Sequence, residues 1–283
     1  MRPGKIRYYP TFLQAVHLVV LYIFIQTVVD FPLAVYDYYK GTDYLYLPVK
    51  KVILGVGSIL FILYYGYRKS KNKLFEVFPF KFFNPLIVLF IITFIVAAQT
   101  LVSEANIYVQ KFIPPPHWFP ELFNNIFESD YGWFGAFMKV VIIAPVVEES
   151  IFRGVIMNGF MRNYPKFPAV FLSALLFALF HLNPWQFPAT FVLGLLLGWL
   201  MVRTHNLLVC MMGHAINNFV VLLSIIYWDK INENALMLMD KDKQMTAAGL
   251  IIAFSVILIY LLTMRQVKKM KGKKRVQSDG YQS

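Results

Sequence analysis

A chain of 283 residues that is 58% hydrophobic and only 15% charged falls well short of the roughly 25% charged residues of a soluble domain, which excludes water as its main solvent. A net charge of +12 would suggest nucleic acid in a soluble protein. Here the basic residues gather at the ends of apolar stretches, the pattern of membrane orientation, and no nucleic-acid partner is expected.

In chain order, apolar windows predict eight helices at about 11–36, 48–67, 84–103, 133–161, 167–182, 187–203, 206–228 and 246–265. Several approach the roughly 20 residues that cross a hydrocarbon core. The first run, Phe12 to Val29, continues into aromatic residues instead of a small-residue cleavage site, so it is expected to be a retained helix. With the N-terminus cytoplasmic, the inner segments take most of the Lys and Arg, including Arg68 to Lys73 and the tail from Arg265 to Arg275. The outer ones take most of the acidic residues, including Glu121, Glu128 and Asp229. That bias and an even number of spans both put the two termini inside.

The expected fold class is therefore all-α, a polytopic transmembrane bundle in one membrane domain. It divides into an N-terminal three-helix region with an outer loop (1–132), a core (133–228), and a last helix with a solvated basic tail (229–283). The outer segment Glu104 to Gly132 carries Pro114-Pro115-Pro116 and then His117-Trp118-Phe119-Pro120, and reads as an interfacial loop or re-entrant lid. His117 is expected to be a surface histidine of an aromatic belt, and Cys210 a small buried hydrophobe. Asn183-Pro184 ends a helix, and Gly194-x-x-x-Gly198 reads as close helix packing.

Ionisable groups inside a span cost about 2.5–3.5 kcal/mol each and call for a partner or a function. The fourth stretch holds three: Glu148, Glu149 and Arg153. Glu149 and Arg153, four apart, share a face and can neutralise each other. Glu148 lies about 100° around the helix from Glu149 and is left to face a different neighbour. The next stretch supplies His181, and the turn at Tyr164-Pro165 is equidistant from positions 148 and 181, so two antiparallel α-helices of equal rise set these side chains side by side. The seventh stretch adds His214 and Asn218 on one face. A glutamate beside a neutral histidine can activate water, and a histidine N–H with an asparagine amide can donate to the oxyanion of a tetrahedral intermediate. The set suits hydrolysis of an amide. The same side chains could also serve only as buried hydrogen-bond ties between helices.

At these residues the sequence resembles the CAAX protease and bacteriocin-processing family of intramembrane proteases, also called the Abi family, which includes the Rce1-type prenyl-protein endopeptidases. Glu148-Glu149-x-x-x-Arg153 resembles its first motif, Phe177-x-x-x-His181 its second and His214-x-x-x-Asn218 its third. The resemblance implies an eight-helix membrane fold in which Glu148 and His181 activate water, Glu149 positions Arg153, and His214 with Asn218 stabilises the oxyanion. It implies a membrane-associated peptide or protein as substrate, the lipid bilayer as surroundings, no cofactor, and for bacterial members a place in the cytoplasmic membrane and a link to bacteriocin processing or immunity. Three other readings stay open. Zinc could be held by Glu148, His181 and His214, although Arg153 would repel it. A non-proteolytic scaffold or immunity protein would use the cluster structurally, and a transporter would need an inverted repeat that is not evident.

Overall fold

The computed structural model describes residues 8–42, 48–116, 132–234 and 240–279; His117, Glu121, Glu128 and the aromatic outer loop lie outside these described residues. Among the described residues the chain is helical throughout, without a strand. Nine helices follow one another: α1 (Phe12–Lys40), α2 (Pro48–Ser70), the short α3 (Leu74–Val77), α4 (Leu86–Phe112), α5 (132–163), α6 (Lys166–Phe180), α7 (Phe187–Thr204), α8 (Leu207–Asn234) and α9 (Lys241–Asp279). Each of the eight expected apolar stretches is thus a helix.

Five of these helices are individually long and apolar enough to cross a membrane: α1, α4, α7, α8 from Leu207 to Ile225, and α9 from Lys241 to Met264. Their outward faces stay apolar, with Phe24, Phe31, Leu89, Val96, Phe254 and Leu261 exposed, as lipid contact requires. The protein is an integral membrane protein. Two boundaries differ from the sequence reading. Helix α4 runs on to Phe112 through Glu104, which had been read as the start of the outer loop. Helix α9 continues past the expected end near residue 265 to Asp279, because Lys and Arg are good helix formers and extend a helix once it is nucleated.

Helix α5 is a single helical run of unusual make-up. Two segments, Phe137–Ile143 and Ser150–Ile156, are π-helical, with α-helix between and on both sides. Such i→i+5 turns are rare and favour functional sites. The core packs around the second of them, with Phe152, Phe160, Phe177 and Leu197 fully buried. The chain start is fastened to the end of α5, where the Asn163 carboxamide accepts from Tyr8 N–H at 2.9 Å and donates to Tyr8 O at 2.6 Å. Helix α1 ends at Gly41, whose φ of +63° suits glycine and lets its N–H close on Asp37 O.

On the α6–α7 side, small residues bring backbones together. A Cβ at Gly194 would stand 2.9 Å from Ala174 Cα, and one at Gly198 3.0 Å from a Val170 methyl, so α7 lies against α6 at a distance only glycine permits. Helix α9 closes the bundle over α4, with Thr93 Oγ1 2.9 Å from Ser255 Oγ and Phe90 edge-on to Phe254.

Candidate active site

Helix α6 is 15 residues long, which at about 1.5 Å per residue spans roughly 22 Å, short of a hydrocarbon core of roughly 30 Å. Starting beside the basic turn at Lys166, it is by length too short to cross such a core alone. His181 is its C-terminal cap residue and Leu182 follows with φ of +50°. Within a membrane, non-helical backbone occurs where protein or a cavity covers it. Here it borders an apolar cleft of about 430 Å³ lined by Val109, Ile113, Leu179, Leu182 and Phe187 among others, and Trp185 ties the same loop to α4 by donating its indole N–H to Ile113 O at 2.7 Å.

The charged centre lies on α5. Arg153 Nη1 donates to Glu149 Oε1 at 2.7 Å and both side chains are fully buried, so the four-residue spacing makes the pair expected of it. Arg153 Nη2 reaches across to Gly194 O at 3.1 Å, and the guanidinium carbon sits 4.6 Å from the centre of the Phe177 ring. Phe177 is thus a platform shared by three charged or titratable groups, for its ring also meets His181 and His214 edge-on at 5.0 and 5.5 Å. Glu149 does more than hold Arg153. Its Oε1 also takes His214 Nδ1 at 3.0 Å, which fixes the donor side of that ring.

Glu148 differs from its neighbour in exposure and in its partners, although each keeps one buried oxygen, Oε2, without a hydrogen bond. Its side chain is 18% exposed and its Oε2 stands 3.9 Å from His214 Nε2, while that oxygen is buried and accepts no hydrogen bond from the protein. His181 is within electrostatic reach of the same carboxylate. The His181 ring is oriented through Nδ1, 2.9 Å from Phe177 O; a carbonyl only accepts, so Nδ1 carries the proton and Nε2 keeps its lone pair in the neutral ring.

Equal rise for Glu148 and His181 requires two regular α-helices. In the structure Ser150–Ile156 is π-helical and α6 ends at Phe180, one residue before His181. His214 lies between the two glutamates, with Nε2 3.9 Å from Glu148 Oε2 and Nδ1 3.0 Å from Glu149 Oε1. Asn218, one turn beyond His214, donates from Nδ2 to Val140 O at 2.9 Å. All six expected residues thus lie on α5, on α8 or at the end of α6.

Three participants have roles that the sequence reading did not assign. Gly194 supplies a carbonyl to Arg153, a role that its packing motif does not announce. Asn217 donates to Asn218 Oδ1 at 3.2 Å, and Gln99 on α4 donates to Asn217 Oδ1 at 3.2 Å. The available signal for the last two was an amide in an otherwise apolar span.

Residues 131–220 match the family model described as Type II CAAX prenyl endopeptidase Rce1-like, a segment that contains all three motifs. The chain is also similar to the UPF0177 protein YajF of Lactococcus lactis subsp. lactis (strain IL1403), at 29% identity over 177 residues, covering 58% of this chain and 80% of that protein. No solved structure matches. The family match supports a membrane-embedded protease of the CAAX type. The matched segment, 131–220, is the one in which the buried charged cluster is built.

Proposed function

We propose that this protein is an intramembrane endopeptidase that hydrolyses peptide bonds of membrane-associated peptides or proteins with water activated by Glu148 and His181, without a metal. The observation that carries this reading is the contrast between adjacent carboxylates. Glu149 is fully buried, and its Oε1 takes Arg153 and His214. Glu148 is partly open, and its nearest charged approach is His214 Nε2 at 3.9 Å.

Water held between Glu148 and His181 Nε2 attacks the carbonyl carbon, and its proton passes to one of them. The carbonyl oxygen takes the electron pair and is met by the free amide hydrogen of Asn218 and by His214, which as an imidazolium offers a second N–H at Nε2. Collapse of the intermediate breaks the C–N bond, and the stored proton leaves on the new amine. Glu149 and Arg153 hold His214 in place. Among the described residues no three His, Cys, Asp or Glu side chains gather as a metal-holding group, and Arg153 within the cluster disfavours a dication. The proposal includes eight spans with both termini cytoplasmic, and residence in a bacterial cytoplasmic membrane, supported by the lactococcal relative.

Comparative peptidomics of membranes carrying wild type or Glu148→Gln at matched protein levels tests the reading. Peptides whose release depends on Glu148 and persists in chelator are expected. Identical peptidomes, with the cellular role kept by Glu148→Gln, would replace the protease by a scaffold or immunity protein, and loss of cleavage in chelator would restore zinc.

A further inference from the structure

We propose that Gln99 and Asn217 are positioning residues that hold the Asn218 carboxamide with its NH₂ end toward Val140 O and the reacting oxygen. This rests on the reading above in which Asn218 is an oxyanion donor.

The polarity is dictated from one end. In the π-helical segment Phe137–Ile143, Ala144 N–H bonds back to Lys139 O. The next residue, Pro145, has no N–H with which to continue that pattern. Val140 O is therefore open to a side chain, and Asn218 Nδ2 donates to it at 2.9 Å. A carbonyl only accepts, so Asn218 must turn its NH₂ toward Val140 and its Oδ1 away. That oxygen receives Asn217 Nδ2 at 3.2 Å. Asn217 Oδ1 in turn receives Gln99 Nε2 at 3.2 Å. Each amide gives its nitrogen in the same direction, from α4 through α8 to α5.

Both relay residues line a cavity whose other walls, from Phe94, Ile95, Val102, Leu193 and Leu196 among others, are apolar. An unpaired amide is costly there, which holds the relay closed. The consequence is chemical. An NH₂ has two hydrogens, and with one on Val140 O the second is free for the oxyanion. A flipped Asn218 would present its oxygen, and repulsion would replace a donor.

The test is cleavage in proteoliposomes of two quenched fluorescent probes: a peptide ending in a farnesylated CAAX sequence, and a peptide spanning a site whose cleavage depends on Glu148. Asn217→Asp keeps the shape but has no donor for Asn218 Oδ1 and attracts its NH₂ instead. It is expected to lower kcat about 100-fold, near the loss of one oxyanion donor, with KM unchanged because the oxyanion exists only past the ground state. Gln99→Leu and Asn217→Ser, which bring no charge into the bilayer, are expected to lower kcat about tenfold, and they carry the test where Asn217→Asp fails to fold. In an Asn218→Ala background all three are expected to have no further effect.

Unchanged kcat in Gln99→Leu and Asn217→Ser, or losses that persist at full size in the Asn218→Ala background, would overturn the relay while leaving Asn218 a donor. Unchanged kcat in Asn218→Ala itself would remove the oxyanion assignment and the relay with it. A wild type that cuts neither probe would remove both.

Discussion

Glu148 and Glu149 are adjacent and chemically identical, yet the structure demands opposite costs from the same substitution. Glu149→Gln weakens a fully buried ion pair in which one carboxylate oxygen meets both Arg153 at 2.7 Å and His214 at 3.0 Å. Removing one partner of a buried pair costs about 3–5 kcal/mol because the other charge stays behind. Glutamine keeps one acceptor, so the lower end, about 3 kcal/mol, is expected. That corresponds to a fall in Tm of about 6–12 °C by the scaling for chains of roughly 150–250 residues. Glu148→Gln alters an oxygen that no protein donor engages, and is expected to cost about 1 kcal/mol or less while abolishing cleavage. Thermal unfolding of the two variants in the same detergent, beside the membrane peptidome, reads both quantities. Equal losses of Tm, or a larger loss for Glu148→Gln, would refute the division between a structural and a reactive carboxylate.

Arg153→Met alone should destabilise by about 3–5 kcal/mol, and adding Glu149→Gln should return much of that, which a double-mutant cycle on unfolding would detect; additive losses would contradict a closed pair. Gly194→Ala places a methyl 2.9 Å from Ala174 Cα and should lower Tm, with Ala174→Gly partly restoring it; an unshifted Tm would show that α7 moves freely on α6. Trp185→Phe removes the indole bond to Ile113 O and should cost about 1 kcal/mol, measurable as a small fall in Tm and refuted by none. At the turn after α7, burial and the nearby Lys81 and Lys166 pull the His205 imidazole below its ordinary value. The folded form then binds fewer protons than the unfolded one. Stability holds above the unfolded pKa of about 6.5 and declines as pH falls through it. His205→Asn, which tolerates the φ of +46° found there, should flatten the decline between neutral pH and pH of about 5; an equally steep decline would place its cause elsewhere.

The sequence by itself determined the solvent and the elements, because a membrane helix is specified by local composition: about 20 apolar residues form a helix and cross whatever lies beside them. It also marked Glu148, Glu149, Arg153, His181, His214 and Asn218, since ionisable and amide groups stand out against apolar sequence, and four-residue spacing alone was enough to pair Glu149 with Arg153. The tertiary structure decided how these groups divide the work. It made part of α5 π-helical and brought His214 Nε2 to 3.9 Å from Glu148. The Gly194 carbonyl became a partner of Arg153 only because packing brings α7 within reach of α5. The amide relay from Gln99 to Val140 joins residues on three helices, and its direction depends on Pro145 leaving a carbonyl open. Spacing along a chain carries no record of such contacts, because they depend on distances between helices that packing alone sets.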